Sequence, residues 1–166
     1  MTDERFEEIL TAADPKPNRI FAIDPGTDES GWCHFYDGRV IDSGVLPNEE
    51  LLALVTIGGD PYELLAMEMI ASYGMPVGRE VFETCVWIGR FLQAHRSKHW
   101  RKQRLIYRKD VKMHLCGTPK AKDANIRQAL IDLLGPQGTK KQPGPTYGVK
   151  SHAWAALAVA VTAAAS

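Results

Sequence analysis

Residues 19–26 read RIFAIDPG, an apolar run that ends in a carboxylate and then a Pro-Gly pair. This pattern predicts a buried strand that stops at Asp24, followed by a tight turn at Pro25-Gly26. A carboxylate at the end of a buried strand needs hydrogen-bond partners or a cation, because burying an unpaired charge is costly. Taken alone, Asp24 is equally consistent with a strand-end cap and with a metal ligand.

The strands that surround this run can be predicted from the neighbouring sequence. The segment SGWCHFYDGRVIDSGVL, residues 30–46, holds two β-rich runs around an Asp-Gly dipeptide at 37–38. Asp-Gly tolerates the positive φ angles of a two-residue hairpin turn, so we expect the domain to open with three antiparallel strands. Downstream, LLAMEMI at 64–70 predicts a fourth, buried strand with Glu68 near its end, and RLIYR at 104–108 predicts a short fifth strand.

Helices are predicted between and after the later strands. A short helix is expected at 47–57, and REVFETCVWIGRFLQAHR at 79–96 has apolar residues at helical spacing, namely Val81, Cys85, Ile88 and Leu92. Asp110 is expected to cap a helix that carries VKMHL, and Ser151 to cap a final alanine-rich helix. Residues 119–134 predict another helix, ended by Gly135-Pro136, with a buried side made of Ala121, Ile126, Leu130 and Leu133.

The remaining segments define the domain organisation. Residues 135–148, rich in Gly, Pro and Lys, predict a loop rather than an interdomain linker. We interpret residues 1–18 as an N-terminal leader and residues 19–166 as one α/β domain. No internal repeat is visible, and 166 residues are enough for one domain with a substantial core but few for two.

The net charge of zero conceals a strong polarity along the chain. Residues 1–95 hold 17 acidic and 6 basic side chains, whereas residues 96–166 hold 3 acidic and 14 basic ones. This distribution indicates one surface that repels phosphates and another that attracts them. Two solvated faces without a ligand are the alternative interpretation.

Composition also bears on the cellular compartment. The start of the chain is acidic where a secretory signal would be basic, and the longest apolar stretch, residues 153–165, is shorter than the roughly 20 residues of a membrane span. Three cysteines without metal-site spacing are typical of free thiols in a reducing environment. We therefore expect a cytoplasmic protein without a membrane segment.

Asp24 and Glu68 are the central pair of candidate functional residues. Two acids that end adjacent buried strands repel each other, which raises at least one pKa unless a cation lies between them. Carboxylate oxygens favour Mg²⁺ or Mn²⁺ among the divalent ions. The pair therefore favours a metal site over two independent caps.

These segments resemble the motifs of RuvC-type Holliday-junction resolvases, in the same order along the chain. IDPGTDESGW, from residue 23, is similar to the opening strand-and-turn motif, and AMEMI, from residue 66, to the acid in the fourth strand. VKMHLCGTPKAKDANIRQAL resembles the family's basic helix region, and GVKSHAWAALAVAVTAA its last helix. The resemblance spans residues 19–165. It implies an RNase H-like fold: a mixed five-stranded sheet, three antiparallel strands followed by parallel ones, flanked by helices.

The resemblance also implies the site residues, with one departure. Asp24 and Glu68 match the first two acids of the family, and His152 stands where the last motif supplies an acid or histidine. The second position of that motif is Ala155, which cannot bind a metal. We expect Asp123 to replace the missing carboxylate; its alternative is a solvated acid on a helix surface. A histidine at the start of a helix can also be a packing residue, so His152 carries the same ambiguity.

The resemblance implies hydrolysis of a DNA phosphodiester with two Mg²⁺ or Mn²⁺ ions per active site. Asp24, Glu68, Asp123 and His152 are the expected catalytic and metal-binding residues. The expected partner is branched DNA, above all four-way junctions, bound by a homodimer with no nucleotide cofactor and no membrane. The expected DNA contacts are Tyr73, Arg101, Lys102, Arg104, Arg108, Lys112, Lys120 and Lys122. Loop anchoring is the alternative for Tyr73, and a solvated lysine is the alternative for Lys122.

Three other functions remain open from the sequence. A related nuclease would use the same metal residues on forks, flaps or structured RNA. A small actin-like ATPase fragment would use the DPGT turn at 24–27 for phosphate, but it leaves the basic half unexplained. A DNA-binding module that has lost catalysis is compatible with Ala155.

Overall fold

The computed structural model describes residues 16–57, 62–96 and 102–166. Most of the predicted leader at 1–18 and the predicted DNA contact Arg101 lie outside these residues. Within them the chain forms five strands and five helices. In chain order these are β1 (Arg19–Asp24), β2 (Glu29–Tyr36), β3 (Arg39–Pro47), α1 (Asn48–Ile57), β4 (Leu64–Met69), α2 (Arg79–Arg96), β5 (Lys102–Tyr107), α3 (Arg108–Cys116), α4 (Asp123–Leu134) and α5 (Ala153–Ala165).

The strands form one mixed sheet in the order β3-β2-β1-β4-β5. β1, β2 and β3 pair antiparallel, and β4 and β5 then add in parallel to β1. The β2–β3 turn has positive φ angles at Asp37 (49°) and Gly38 (73°), as a two-residue hairpin turn of this kind requires. The predicted fold class is therefore confirmed.

The sheet has a hydrophobic core on each face. Because side chains alternate along a strand, Ile20 and Ala22 of β1 pack against α5, whereas Phe21 and Ile23 pack on the opposite face with α1 and α2. Helix α5 is buried along almost its whole length, which explains its continuous apolar sequence. Among the helices that the structure describes, none is long and apolar enough to cross a membrane.

The buried faces of two helices differ from those predicted. Helix α2 buries Thr84, Ile88, Phe91 and His95, while Cys85, one of the four apolar residues noted at helical spacing, is exposed. The reason is that Phe91, with no exposed surface, and His95, stacked on the Tyr62 ring, turn this side of the helix toward the sheet. In α4, Leu133 is 62% exposed because the contact with the core is made through Ile126 and Leu130.

Three helix starts also differ. Helix α3 begins at Arg108, directly after β5, so Asp110 lies in its first turn and does not cap it. Helix α4 begins at Asp123 rather than near 119; Asn125 accepts a hydrogen bond from the Lys122 amide at 2.9 Å and so ends the preceding loop. Ser151 has a φ of 46° in the turn before α5 and leaves the N-cap position to the next residue.

Candidate active site

Asp24 and Glu68 end neighbouring parallel strands. Ile23 of β1 is paired with Met67 of β4, and each acid is the next residue of its strand. Both also continue the alternation that faces α5, so their carboxylates lie on the same side of the sheet. Each side chain is only 17% exposed. The predicted convergence of these two acids is thus a feature of the structure.

Burial makes this pair electrostatically unfavourable. Desolvation, together with the charge of Asp24, raises the pKa of Glu68 to about 7 against the opposing effect of Arg108. Burial also raises the pKa of Asp24, an effect that the nearby His152 and Arg108 partly offset. Two carboxyl groups held together at such a cost are typical of sites that bind a cation or exchange a proton.

His152 lies against Asp24 from the other side of the cleft. Its Nδ1 is 3.3 Å from Asp24 Oδ2, although 128 residues separate the two in sequence. The contact arises because His152 immediately precedes α5, and α5 packs across β1 and β2. The imidazole remains largely exposed, so it can contact both the acid and a molecule in the cleft.

Arg108 joins the acidic pair to Asp123. Its Nη1 lies 3.2 Å from Glu68 Oε2, and its Nη2 donates a hydrogen bond to Asp123 Oδ1. The sequence placed Arg108 among the DNA contacts and gave no reason to put it between two acids. The position of Arg108 follows from the strand register. Met69 of β4 pairs with Tyr107 of β5, so Arg108, the next residue, starts α3 at the edge of the sheet where Glu68 lies.

Asp123 is the first residue of α4 and is 86% exposed. It nonetheless lines the same open cleft of about 440 Å³ as the other three predicted site residues. Ala155, one turn into α5, lines this cleft too, so a carboxylate at either position would face the same space. The structure therefore brings together all four residues that the sequence singled out.

The chemistry of these side chains fits a divalent metal ion, but the present arrangement is not a ligand cage. Carboxylate oxygens and an imidazole nitrogen suit Mg²⁺ or Mn²⁺. Within the described ranges, however, no three His, Cys, Asp or Glu side chains converge closely enough to hold an ion. The reason is visible in the contacts: Arg108 engages Glu68 and Asp123, and His152 engages Asp24.

The predicted DNA contacts fall into two groups. Lys120, Lys122 and Tyr73 are exposed on the loops that precede α4 and follow β4, and Lys112 is half-buried on α3. Their loops and helix start near the strand ends that carry the acids.

Lys102 and Arg104 lie toward the other end of the sheet. Lys102 begins β5, about 17 Å along that strand from Tyr107. Arg104 donates hydrogen bonds to the Ala163 and Ser166 carbonyls at 2.9 and 3.2 Å, at the far end of α5 from His152. A DNA contact at these two residues requires a duplex that extends along the sheet edge.

Comparison with known proteins identifies the architecture. No family model matches the sequence, and a search of curated proteins found no relative. Among solved structures, the chain is similar to Thermus thermophilus RuvC, with 19% identity and a TM-score of 0.63 over 87% of this chain and 92% of that one. It is also similar to T. thermophilus RuvC in complex with a Holliday junction substrate, with 21% identity and a TM-score of 0.65 over 87% and 91%. The chain therefore has a RuvC-like form of the RNase H-like fold.

Proposed function

We propose that this protein is a metal-dependent endonuclease that resolves four-way DNA junctions by paired, symmetric nicks. The observation that carries the proposal is the meeting of Asp24 and Glu68 at the ends of adjacent parallel strands, in a RuvC-like fold. The similar T. thermophilus protein has been solved with a Holliday junction substrate, which supports branched DNA as the ligand. His152 and Asp123 on the same cleft supply further groups for the chemistry.

Asp24, Glu68, Asp123 and His152 would hold two Mg²⁺ or Mn²⁺ ions. Bound there, such ions would lower the pKa of the attacking water and stabilise charge on the leaving oxygen of the phosphodiester. The buried carboxylates contribute the negative charge that makes this edge of the sheet attractive to cations. Asp24, which is close to both Glu68 and His152, would contribute its carboxylate to this set of ligands.

His152 and Lys122 would transfer a proton and orient the substrate. The His152 ring is exposed to the cleft and contacts Asp24, so a ring nitrogen that is not bound to an ion would be suited to accept or donate a proton at the reacting phosphate. Lys122 immediately precedes Asp123 and is exposed, so its ammonium group is available to a phosphate oxygen. Each group therefore has a role that requires no rearrangement of the sheet.

DNA capture would use the basic half of the chain. Lys112, Lys120 and Lys122 come from α3 and from the loop that leads to the cleft, and Tyr73 is exposed in a left-handed turn after β4. Lysines there would neutralise backbone phosphates, and the tyrosine ring could stack on an unpaired base. Arg101, Lys102 and Arg104 would contact a duplex arm leaving the junction.

Paired nicks require two active sites, and α2 offers a surface for a second copy of the chain. Phe82, Cys85, Val86 and Gly89 are exposed and follow one another at helical spacing, with Phe82 and Val86 each 63% exposed. An apolar stripe of this kind, with a glycine that permits close approach, suits a two-fold helix–helix contact. A homodimer built on α2 would present two clefts to one junction.

The decisive experiment is incubation of the protein with a labelled four-way junction, with and without Mg²⁺ or Mn²⁺. We expect symmetric paired nicks that need the ion and disappear in Asp24→Asn. A replication fork and a flap of equal length belong in the same assay, because faster cleavage of either would identify a related nuclease with another preferred substrate. Equal products from wild type and Asp24→Asn would refute the proposal.

One observation favours a second candidate function. Ala155 takes the place at which the last motif of resolvases supplies a carboxylate, and Asp123 is held by Arg108. A chain with too few ligands would bind junctions without cutting them. Junction binding by gel shift, combined with no nicks at roughly 10 mM Mn²⁺, which is about tenfold above the weakest dissociation constants of protein sites for divalent ions, would identify such a module.

A further inference from the structure

Arg108 occupies the position that a cation would need in order to bind Glu68 and Asp123 together. One guanidinium nitrogen lies 3.2 Å from Glu68, and another donates to Asp123, so a single fork spans the two acids. The Arg108 and Glu68 side chains are 27% and 17% exposed, which places their contact partly out of water, whereas Asp123 is open to solvent. Arginine stays charged at every relevant pH, so the guanidinium keeps its positive charge at this contact.

This contact explains why the acids do not form a ligand cage. Asp24, Glu68 and Asp123 bring three carboxyl groups to one cleft, where the charge of Asp123 acts on both of the other acids and the charge of Asp24 acts on Glu68. Without a cation among them the three would repel one another. Arg108 provides that positive charge from within the chain. It contacts Glu68 and Asp123, the two acids that would also have to bind a metal ion.

We propose that Arg108 is an internal counter-ion that holds Glu68 and Asp123 in the metal-free protein and must be displaced before these acids bind a divalent ion. The inference rests on the proposed function, since it assumes a metal site at this cleft. Displacement is feasible because Arg108 is the first residue of α3, where a side chain can swing without breaking the helix. Arg108 is thus a positioning residue that sets the divalent-ion affinity.

The test is Mn²⁺ binding to the full chain, measured by electron paramagnetic resonance, in wild type and Arg108→Gln. Removing a competing unit charge a few ångströms from the site should tighten Mn²⁺ binding at least about tenfold. Arg39→Gln is the matched control, because it deletes the same charge at the β2–β3 hairpin, the opposite end of β1 from Asp24. Its Mn²⁺ affinity should equal that of wild type.

A thermal melt without divalent ions gives a second readout. Arg108→Gln should melt below wild type, because the three acids lose their counter-ion, and saturating Mn²⁺ should raise its melting temperature more than it raises that of wild type. A side chain that merely ties α3 and α4 to the sheet would lower the melting temperature equally with and without the ion. That outcome overturns the proposal.

Asp24→Asn separates failure of this inference from failure of the proposed function. If Asp24→Asn abolishes Mn²⁺ binding and Arg108→Gln leaves it unchanged, the metal site stands and the counter-ion role is wrong. If Asp24→Asn leaves Mn²⁺ binding unchanged, both alone and combined with Arg108→Gln, then the proposed metal site and the counter-ion role are both wrong. Should Arg108→Gln fail to fold, Arg108→Lys replaces it: one ammonium cannot span both acids, so binding should tighten at least about threefold, and unchanged binding overturns the proposal.

Discussion

Gly31 of β2 packs directly against the backbone of His152. A side-chain carbon at Gly31 would lie 2.2 Å from the His152 carbonyl oxygen and 2.4 Å from its carbonyl carbon. Gly31 is also the residue paired with Asp24 across β1 and β2. The absence of a side chain at this position therefore lets the residue before α5 approach the strand end and brings the imidazole within 3.3 Å of Asp24.

Gly31→Ala should separate His152 from Asp24. The added methyl group meets backbone atoms, which cannot rotate away, so α5 has to shift. Overpacking of this kind costs about 1–3 kcal/mol of unfolding free energy. We expect that loss in urea denaturation, together with a large loss of junction cleavage.

Gly78→Ala is the matched control for this prediction. A methyl group there meets no atom within 4 Å, so cleavage and stability should stay near those of wild type. A fully active Gly31→Ala variant would show that the contact between His152 and Asp24 is dispensable.

Glu68 should make the metal-free protein less stable as the pH rises. Its folded-state pKa of about 7 exceeds the ordinary value of 4.5, so the folded protein holds a proton that the unfolded chain releases. The stabilisation is complete below pH 4.5 and is lost as the pH rises through 7, with an upper bound of about 3 kcal/mol. The raised pKa of Asp24 acts in the same direction.

Glu68→Gln isolates this effect from other titrating groups. Between pH 4.5 and 8 in EDTA, the unfolding free energy of the variant should rise relative to wild type by up to about 3 kcal/mol. Urea denaturation at several pH values measures the difference. Parallel pH curves for the two proteins would mean that Glu68 has an ordinary pKa in the folded state.

The acids at the strand ends could be predicted from sequence, but Arg108 could not. Asp24 and Glu68 each follow an apolar run, and the rule that parallel strands end at one edge brings them together. The role of Arg108 depends on where β5 stops relative to β4, a matter of register between segments about 40 residues apart. The prediction that Leu133 is buried was wrong for a related reason. Helical spacing identifies the apolar side of a helix, whereas packing decides which part of that side is covered.

The lysines near the cleft should contribute to DNA affinity in proportion to the phosphates they contact. Lys120→Gln and Lys122→Gln should each weaken junction binding and lower the slope of log K against log salt concentration by about 1. Fluorescence anisotropy titrations at several salt concentrations give this slope. Arg39→Gln, which removes a charge at the distant hairpin, should leave the slope unchanged.

Phe82→Glu should convert the proposed dimer to a monomer. Phe82 and Val86 are exposed on the apolar stripe of α2. Because the contact is two-fold, the variant would bury an unpaired glutamate from each copy, and burying an unpaired charge is costly. Light scattering after gel filtration measures the mass, and the junction assay should show single rather than paired nicks. Leu54→Glu introduces the same charge at an exposed position of α1 and should not change the mass. A wild-type protein that is monomeric at all concentrations would exclude this interface.

Asp123 and Ala155 provide the sharpest test of how the site is completed. Both line the cleft that contains Asp24 and Glu68, one from the first residue of α4 and the other from the first turn of α5. If Asp123 supplies the carboxylate that resolvases carry at the position of Ala155, then Asp123→Asn should lower the cleavage rate by about 100-fold or more at limiting Mg²⁺. The double variant Asp123→Asn/Ala155→Asp should recover much of that loss.

This rescue distinguishes a shared role from a nonspecific effect of charge. Ala155→Asp alone adds a fourth acid to Asp24, Glu68 and Asp123. It should lower the Mg²⁺ concentration needed for cleavage without an equal gain in rate, because Asp123 already supplies the carboxylate. Asp132→Asn, which removes an acid from the exposed side of the same α4 helix, should cleave junctions like wild type. If Asp123→Asn cleaves normally at limiting Mg²⁺, Asp123 is a surface acid held by Arg108, and the active site works with the carboxylates of Asp24 and Glu68 and the imidazole of His152.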